Sequence, residues 1–554
     1  MQRRTLIKSL ALAAPAAWLP GGVAGQHRPP LASAAGVLPG ADRFRPTWDS
    51  LAQYQTPDWF RDAKFGIWAH WGPQCQPERG DWYARHMYDE GSDQYNYHLQ
   101  KYGHPSKVGF KDVIHSWKAE QWNPDELVGL YQRAGAKYFV ALANHHDNLD
   151  LYNSSHQPWN STRMGPKKDL VGGWAKAAKK HGLRFGVSVH AAHAWNWLET
   201  AQRADKKGPL AGVPYDGRLR AADGRGQWWQ GEDPQALYAQ NHPLSANSDD
   251  TNRIHSQWNW SNGVAMPSAE YCEKFYKRTV ELLDKYEPDL VYFDDTALPL
   301  WPVSDVGLRI AAHMYNTSMK RHDGRLEAVI NGKILDEQQR RCMVWDIERG
   351  QSSVIEPLPW QTDTCLGQWH YDRRIYDRHG YKSAQTVVHT LVDAVSKNAN
   401  LLLSVPVRGD GSIDEQERAV VEGIGAWMRV NGESIYGTRP WQVLGEGPAL
   451  ASAAPLTAQG FNEGKGKAFG PQDIRFVAKG EVLYATALGW PADGQLVIGA
   501  LGAGNPLRPQ PVRRVELLGH GEPLAFERTA QGLRVSLPAQ PPAAGLAYAF
   551  KIQA

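Results

Sequence analysis

Two rhythms of hydrophobic and polar positions run along this chain. Between about residues 45 and 430, short apolar runs rich in β-formers are separated by longer stretches with apolar residues three and four apart. The runs are Phe65–Ala69, Tyr138–Ala143, Arg184–Val189, Leu290–Phe293, Ala328–Ile330, Met343–Ile347, a weaker one at Thr364–Gln368, and Leu401–Val405. Helices are predicted from Asn123 to Ala134 and over Leu170–His181, Ala269–Tyr286, Ala384–Lys397 and Glu415–Val430. In the first of these, Pro124 occupies the first turn and Asp125 and Glu126 lie at the positive end of the helix dipole. Strand and helix alternating about eight times predict an α/β fold, a (β/α)8 TIM-like barrel rather than an open sheet.

Past Glu433 the rhythm changes. Val482–Leu488, Gln495–Ile498, Arg514–Leu518 and Ala547–Ile552 alternate with Gly/Pro turns, which predicts a small β-sandwich over 436–554. Residues 200–263 follow neither rhythm. They are rich in Asp, Asn, Gly and Gln but carry Trp228, Trp229, Trp258 and Trp260, so they read as a functional insertion in a catalytic domain of residues 45–430. At the N-terminus, Arg3-Arg4 precede the apolar run Ser9–Pro20 and a Gly/Ala-rich stretch. That is the pattern of a twin-arginine export signal and linker over 1–35, too short and broken for the ~20 residues of a membrane span. The expected location is periplasmic or secreted.

Composition narrows the function. A balance of 61 Lys+Arg against 58 Asp+Glu gives a net charge of +3, too little for a nucleic-acid binder that works by bulk charge. With 42% hydrophobic and 21% charged residues, global disorder is excluded. Cys75, Cys272, Cys342 and Cys365 form no C-x-x-C pair, so they are expected as buried thiols rather than zinc or redox ligands. The 23 Trp outnumber the 22 Tyr and 13 Phe, and such wide rings suit either core packing or stacking on a ligand.

In a parallel barrel, the residues that follow the strands crowd one rim, where such enzymes place their chemistry. Reading forward, the runs end at His70, His145-His146, His190, Asp294, Asn331, Glu348 and Trp369. Asp294 closes Pro288-Asp-Leu-Val-Tyr-Phe-Asp294, and Glu348 closes Trp345-Asp-Ile-Glu348. Two such carboxylates can face each other across a sugar as a glycosidase needs, one attacking and one protonating the leaving oxygen. A helix-capping role suits Asp295 better than Asp294. The His145-His146-Asp147 group, with His70 and His190, raises a metal-hydrolase alternative. However, neighbours on a strand point to opposite faces, and few carboxylates accompany the group. The expectation is therefore hydroxyl-binding histidines with no metal and no cofactor, His190 and His193 also reading as scaffold histidines.

These residues sit in an ordered series of motifs over about residues 48–441. It contains Lys64-Phe-Gly-Ile-Trp-Ala-His70, Asp81-Trp82-Tyr83, Ala136-Lys-Tyr-Phe-Val140, His145-His146-Asp147 and Trp159-Asn-Ser161. It continues through Gly165-Pro-Lys-Lys-Asp169, Pro288-Asp289 to Asp294, Lys397-Asn-Ala-Asn400 and Asn431-Gly-Glu-Ser-Ile435. The series resembles the α-L-fucosidases of glycoside hydrolase family 29. The resemblance implies a retaining exo-hydrolase releasing α-L-fucose from oligosaccharides or glycoconjugates, a fucosylated glycan being its partner. It matches Asp294 to the nucleophile and Glu348 to the acid/base, with Glu356 and Asp363 as substitutes for the latter. His70, His145 and His146 match residues that bind fucose hydroxyls, Trp82 their neighbour, and Trp369 an aromatic that walls the sugar.

Four positions depart from the family's pattern. Asp81 stands for a Glu, Lys333 for an Arg with loss of the bidentate fork, residues around Ser188–His190 for a Tyr, and Tyr292 for a Trp. Because fucose is 6-deoxy-L-galactose, an α-L-galactosidase is the nearest alternative. A non-catalytic sugar-binding protein and a metal-dependent hydrolase are the others. The insertion, through Trp228 and Trp229, is expected to frame the aglycone.

Overall fold

Eight runs of residues buried on both faces pair side by side in chain order and close on themselves. The strands are β1 (Phe65–Ala69), β2 (Tyr138–Asn144), β3 (Arg184–Val189), β4 (Leu290–Thr296), β5 (Val329–Lys333), β6 (Val344–Glu348), β7 (Trp360–Cys365) and β8 (Ala399–Ser404). All pairings are parallel, and β1 completes the ring against β8 with Phe65 opposite Leu401. The computed structural model describes residues 42–554 except 240, 247, 249–259, 261, 262, 453, 455, 457–460, 509 and 544. The export signal read over 1–35 lies outside the described residues. Among them, no helix is long and apolar enough to cross a membrane.

Helices cover the barrel where the sequence supplies caps. Asn123 accepts the Glu126 N–H ahead of Pro124–Arg133, Asp169 caps Leu170–Lys180, and Ser268 caps Ala269–Tyr286. Ser383 caps Ala384–Ser396, and Asp414 forms a capping box with Glu417 ahead of Glu415–Asn431. The outer layer also contains Val306–Arg321, which the periodicity did not single out. It is incomplete elsewhere. The β5–β6 connection carries a single 3-10 turn, Gln339–Arg341, and no helix lies between β6 and β7.

The seventh strand is the main correction to the predicted boundaries, Trp360–Cys365 instead of Thr364–Gln368. Its residues are all buried, yet Gln361, Thr362, Asp363 and Thr364 are polar, because the barrel interior here holds a hydrogen-bonded network. Tyr138 donates to Gln361 (2.9 Å), and Gln361 donates to Asp346 (2.8 Å). Gly66 on β1 makes room for it: a Cβ there would lie 2.3 Å from the Tyr138 ring.

Beyond the barrel, two antiparallel sheets face each other. One runs β13-β16-β11-β10-β9 and the other β12-β15-β14, from β9 (Arg439–Glu446), β10 (Ile474–Lys479), β11 (Val482–Ala487), β12 (Gln495–Ile498), β13 (Arg514–Leu517), β14 (Phe526–Thr529), β15 (Gly532–Ser536) and β16 (Tyr548–Gln553). Phe476, Leu483, Leu496, Ile498, Leu533, Val535 and Phe550 fill the space between them. This domain docks on helix Ala384–Ser396. Asp393 there accepts from Lys397 (2.6 Å) and from the buried Arg475 of β10 (2.5 Å). Burial alone would raise the Asp393 carboxyl, but those two cations hold it below the ordinary carboxylate range. The four cysteines are buried free thiols.

Candidate active site

The C-terminal ends of the barrel strands open into one cavity of about 470 Å³. Asp294 ends its run on β4, Lys333 is the last residue of β5 and Glu348 the last of β6; His70 follows β1, and Trp369 follows β7 after a short turn. Asn144, at the end of β2, accepts the N–H groups of His190 and Ala191 (3.1 Å each) and so fixes where β3 delivers its histidine. Asn144 is held in turn by Asp150 (3.0 Å), which takes a forked contact from the buried Arg278 of helix Ala269–Tyr286.

Two carboxylates and one ammonium form the centre. Lys333 Nζ donates to Asp294 Oδ1 (2.6 Å) and to Glu348 Oε2. A shared donor puts the facing oxygens no more than two hydrogen-bond lengths apart, about 5.5 Å. Each carboxylate side chain is 17% exposed, reachable from the cavity but screened from bulk water. Burial would raise the Asp294 carboxyl, but the Lys333 charge and the neighbouring His190 hold it well below the ordinary range. Burial would likewise lower Lys333, and Asp294 and Glu348 instead hold it well above. Trp369 Nε1 donates to Glu348 Oε1 (3.2 Å), so the ring expected to wall the sugar also orients this carboxylate.

The histidines divide by their partners. His190 donates Nδ1–H to Asp294 Oδ2 (3.0 Å), leaving Nε2 unpaired. His146 donates Nδ1–H to the His190 carbonyl (2.7 Å), and its Nε2 lies 3.2 Å from Asp294 Oδ2. Gln74 donates to His145 Nδ1 (2.8 Å) and to Asp147 (3.0 Å), which turns the other His145 nitrogen into a donor. Among the described residues, neither nitrogen of His70 has a hydrogen-bond partner. Burial pushes His70 and His145 well below the usual imidazole value, and lowers His190 to about 4, as neutral donors and acceptors for hydroxyls require.

The strand-alternation argument against shared ligation fails here. The strand β2 ends at Asn144, His145 and His146 lie beyond it, and their rings come within 4.5 Å. Two triads, His70/His145/His370 and His145/His146/His190, each bring their ligand atoms within 4.8 Å. What weighs against an ion is Lys333: the cation between the carboxylates is already an ammonium.

The cavity wall holds His70, Asp81, Trp82, His145, His190, Tyr292, Asp294, Lys333, Glu348 and Trp369; His146, the remaining expected residue, stands behind Asp294. Asp81 accepts the His370 N–H (2.7 Å), and Trp82 is left-handed (φ 62°) with its ring stacked on His86. Tyr292 presents its ring while its hydroxyl donates to Asp363 (2.7 Å) below the floor. Asp363 touches the cavity but is fully buried; burial and the charge of Asp346 push its carboxyl far up. Glu356 is remote from the cavity and accepts from Ser352 (2.6 Å). Trp228 and Trp229 do not line it either: Trp228 stacks on His115 and donates to Asp112 (2.8 Å), and Trp229 is buried. His193 pairs with Asp295 (3.0 Å), a scaffold contact.

Sequence reasoning missed Trp68, His86, Ile334, Arg349, His370 and Phe461. Four of these adjoin a strand end already read, and continuing one residue past Lys333, Glu348 and Trp369 would have found three. Phe461 had no such signal, since it comes from the second domain.

Removing the ammonium separates these effects. In Lys333→Met, burial is free to raise the Asp294 carboxyl, so the acid limb of kcat/KM should move to higher pH. With Lys333 in place Asp294 stays ionised across the range in which the buried histidines, His190 among them at about 4, take up protons. An acid limb that stays put in a pH profile of the variant would contradict this assignment.

Known proteins resemble this chain over most of their length. The family model described as alpha-L-fucosidase matches residues 32–433, and that described as alpha-L-fucosidase C-terminal domain matches 470–553. Tissue alpha-L-fucosidase of Bos taurus is 27% identical over 519 residues, covering 91% of this chain and 89% of that protein. Plasma alpha-L-fucosidase of Homo sapiens is 25% identical over 515 residues, covering 90% and 89%. Among solved structures, the alpha-fucosidase of Thermotoga maritima in complex with a mechanism-based inhibitor superposes with a TM-score of 0.66 at 25% identity, covering 92% of this chain and all (100%) of that one. The matched families thus span the barrel and the second domain alike, and the chain belongs to the alpha-L-fucosidase family of glycoside hydrolases.

Proposed function

We propose that this fucose-releasing hydrolase works by double displacement, with Asp294 as nucleophile and Glu348 as acid/base. The observation that carries this reading is the single ammonium bridging both carboxylates. Facing oxygens held within about 5.5 Å of each other by one shared donor suit direct attack on the sugar, whereas inversion needs roughly 6.5–9.5 Å to admit a water. Asp294 attacks the anomeric carbon as Glu348 protonates the leaving oxygen. Water then enters as Glu348 takes its proton, and the sugar leaves with its configuration retained. His70, His145 and His190 bind the hydroxyls, and Lys333 keeps Asp294 ionised.

We read Tyr292 as the residue that favours fucose over galactose. Its hydroxyl is engaged below the floor, so it offers a ring face and no partner for a 6-hydroxyl. We read Arg3-Arg4 and the apolar run after it as a signal that exports the folded enzyme to the periplasm or outside the cell; the four free thiols, which suit folding in a reducing compartment before export, support that reading. The test is a panel of nitrophenyl glycosides run in EDTA, with the first-formed anomer read by NMR. The expected outcome is the α-L-fucoside as fastest substrate, α-L-fucose released first and no effect of the chelator. A faster α-L-galactoside, a β product, or a rate lost to EDTA and restored by zinc would each overturn the corresponding part.

A further inference from the structure

The domain after the barrel reaches into the catalytic cavity. Phe461, from the segment between β9 and β10, lies on the cavity wall together with Glu348 and Arg349. Its N–H donates to the Glu348 carbonyl (3.0 Å), and the Glu463 N–H donates to the Arg349 carbonyl (2.9 Å). Between them, Asn462 accepts the Gln351 N–H (2.8 Å) and donates to the Gln351 carbonyl (3.0 Å). The Glu463 carboxylate gathers Arg349 Nε (3.1 Å), Lys382 Nζ (3.1 Å) and Thr364 Oγ1 (2.7 Å). Gly350 permits the approach, since a Cβ there would lie 2.8 Å from Asn462 Oδ1. Three consecutive residues of the second domain are thus clipped onto the end of β6, the strand that carries Glu348.

The clip aims a ring at the cavity mouth. Phe461 holds a left-handed backbone (φ 48°), as do the mouth residues Ile334 (φ 52°) and Arg349 (φ 45°). Non-glycine residues keep that conformation where surrounding contacts enforce it, and such strain gathers at functional sites. Phe461 is half-buried and belongs to none of the three hydrophobic clusters among the described residues, so packing does not explain it. Arg349, whose guanidinium is tied to Glu463, stands beside it. An acid that protonates the leaving oxygen has the aglycone just outside it, and the mouth next to Glu348 is where Phe461 lies.

We propose that the second domain completes the active site by supplying the aglycone subsite, with Phe461 as an aromatic platform for the flat C–H face of the leaving sugar or for an aryl ring. The inference rests on Glu348 as the acid/base, and its test separates the two. Three substrates are compared: α-L-fucosyl fluoride, nitrophenyl α-L-fucoside and a fucosyl disaccharide. The fluoride carries no ring to stack and leaves without a proton. In Phe461→Ala, kcat/KM for the ring-bearing substrates should fall about tenfold more than for the fluoride, and Phe461→Tyr, which keeps the ring, should restore it. Equal losses on fluoride and disaccharide, or no loss on either, would overturn the platform; if Phe461→Ala fails to fold, Phe461→Leu against Phe461→Tyr makes the same comparison. Glu348→Gln run in parallel guards the premise. Should that variant lose the fluoride as severely as the disaccharide, the acid/base assignment fails, whatever Phe461 does.

Discussion

Replacing Asp294 by glycine should lower turnover of α-L-fucosides by about 10⁴–10⁶-fold, the scale on which covalent nucleophiles are lost. Among the described residues, the other carboxylates on the cavity wall are already engaged: Asp81 accepts the His370 N–H and Asp295 pairs with His193. Glu348 is committed to the leaving oxygen, and Asp363, although it touches the cavity, is fully buried beneath Tyr292. The substitution also leaves a gap in front of His146 and His190, both of which face the missing oxygen, while Lys333 retains Glu348 as its partner. A small anion can enter that gap. Azide with an activated fucoside should therefore restore part of the rate and yield the β-configured fucosyl azide, because the anion attacks from the carboxylate's side. The measurements are kcat with and without azide and the NMR of the product. A variant within tenfold of the parent would rule out Asp294 as nucleophile.

How far the sequence carried this reading depended on what each residue faces. Strands with a run of apolar side chains, such as Tyr138–Ala143 in β2 and Leu401–Leu403 in β8, stand out in a hydrophobicity pattern. Trp360–Cys365 is as deeply buried, but the barrel interior there is a polar network of Tyr138, Gln361, Asp346, Asp363 and Tyr292, and a hydrophobicity pattern cannot report buried polar residues. The rim was legible because strand ends in a parallel barrel converge whatever their loops do. The pairing of those side chains was not. That Lys333 bridges two carboxylates, or that Tyr292 turns its hydroxyl away from the cavity, depends on distances across strands that sequence spacing does not encode. The role of the second domain was invisible for the same reason: Phe461 and Glu348 are far apart in the chain and meet through backbone pairing.

Glu348→Gln should lower kcat/KM for a fucosyl disaccharide by about 10²–10⁴-fold, the range for a positioned general acid. The amide keeps the side chain's size but offers one acceptor oxygen where the carboxylate offered two to Lys333 and Trp369, so one of those contacts is lost along with the transferable proton. The loss should therefore scale with how badly the leaving group needs that proton: full for the disaccharide, intermediate for nitrophenol, slight for fluoride. A second signature separates this from a displaced nucleophile. Because Glu348 also activates water in the second step, an activated substrate should accumulate the fucosyl enzyme, seen as a burst of nitrophenol followed by a slow steady state. Azide should accelerate that slow phase and give the α-configured azide, the opposite anomer to that expected from Asp294→Gly. The pair of anomers assigns the two carboxylates to opposite faces of the sugar. If Asp363→Asn, and not Glu348→Gln, produced the graded loss and the α-azide, the acid would be the buried carboxyl beneath Tyr292, and the bridging ammonium would have to be read as holding a nucleophile and a bystander.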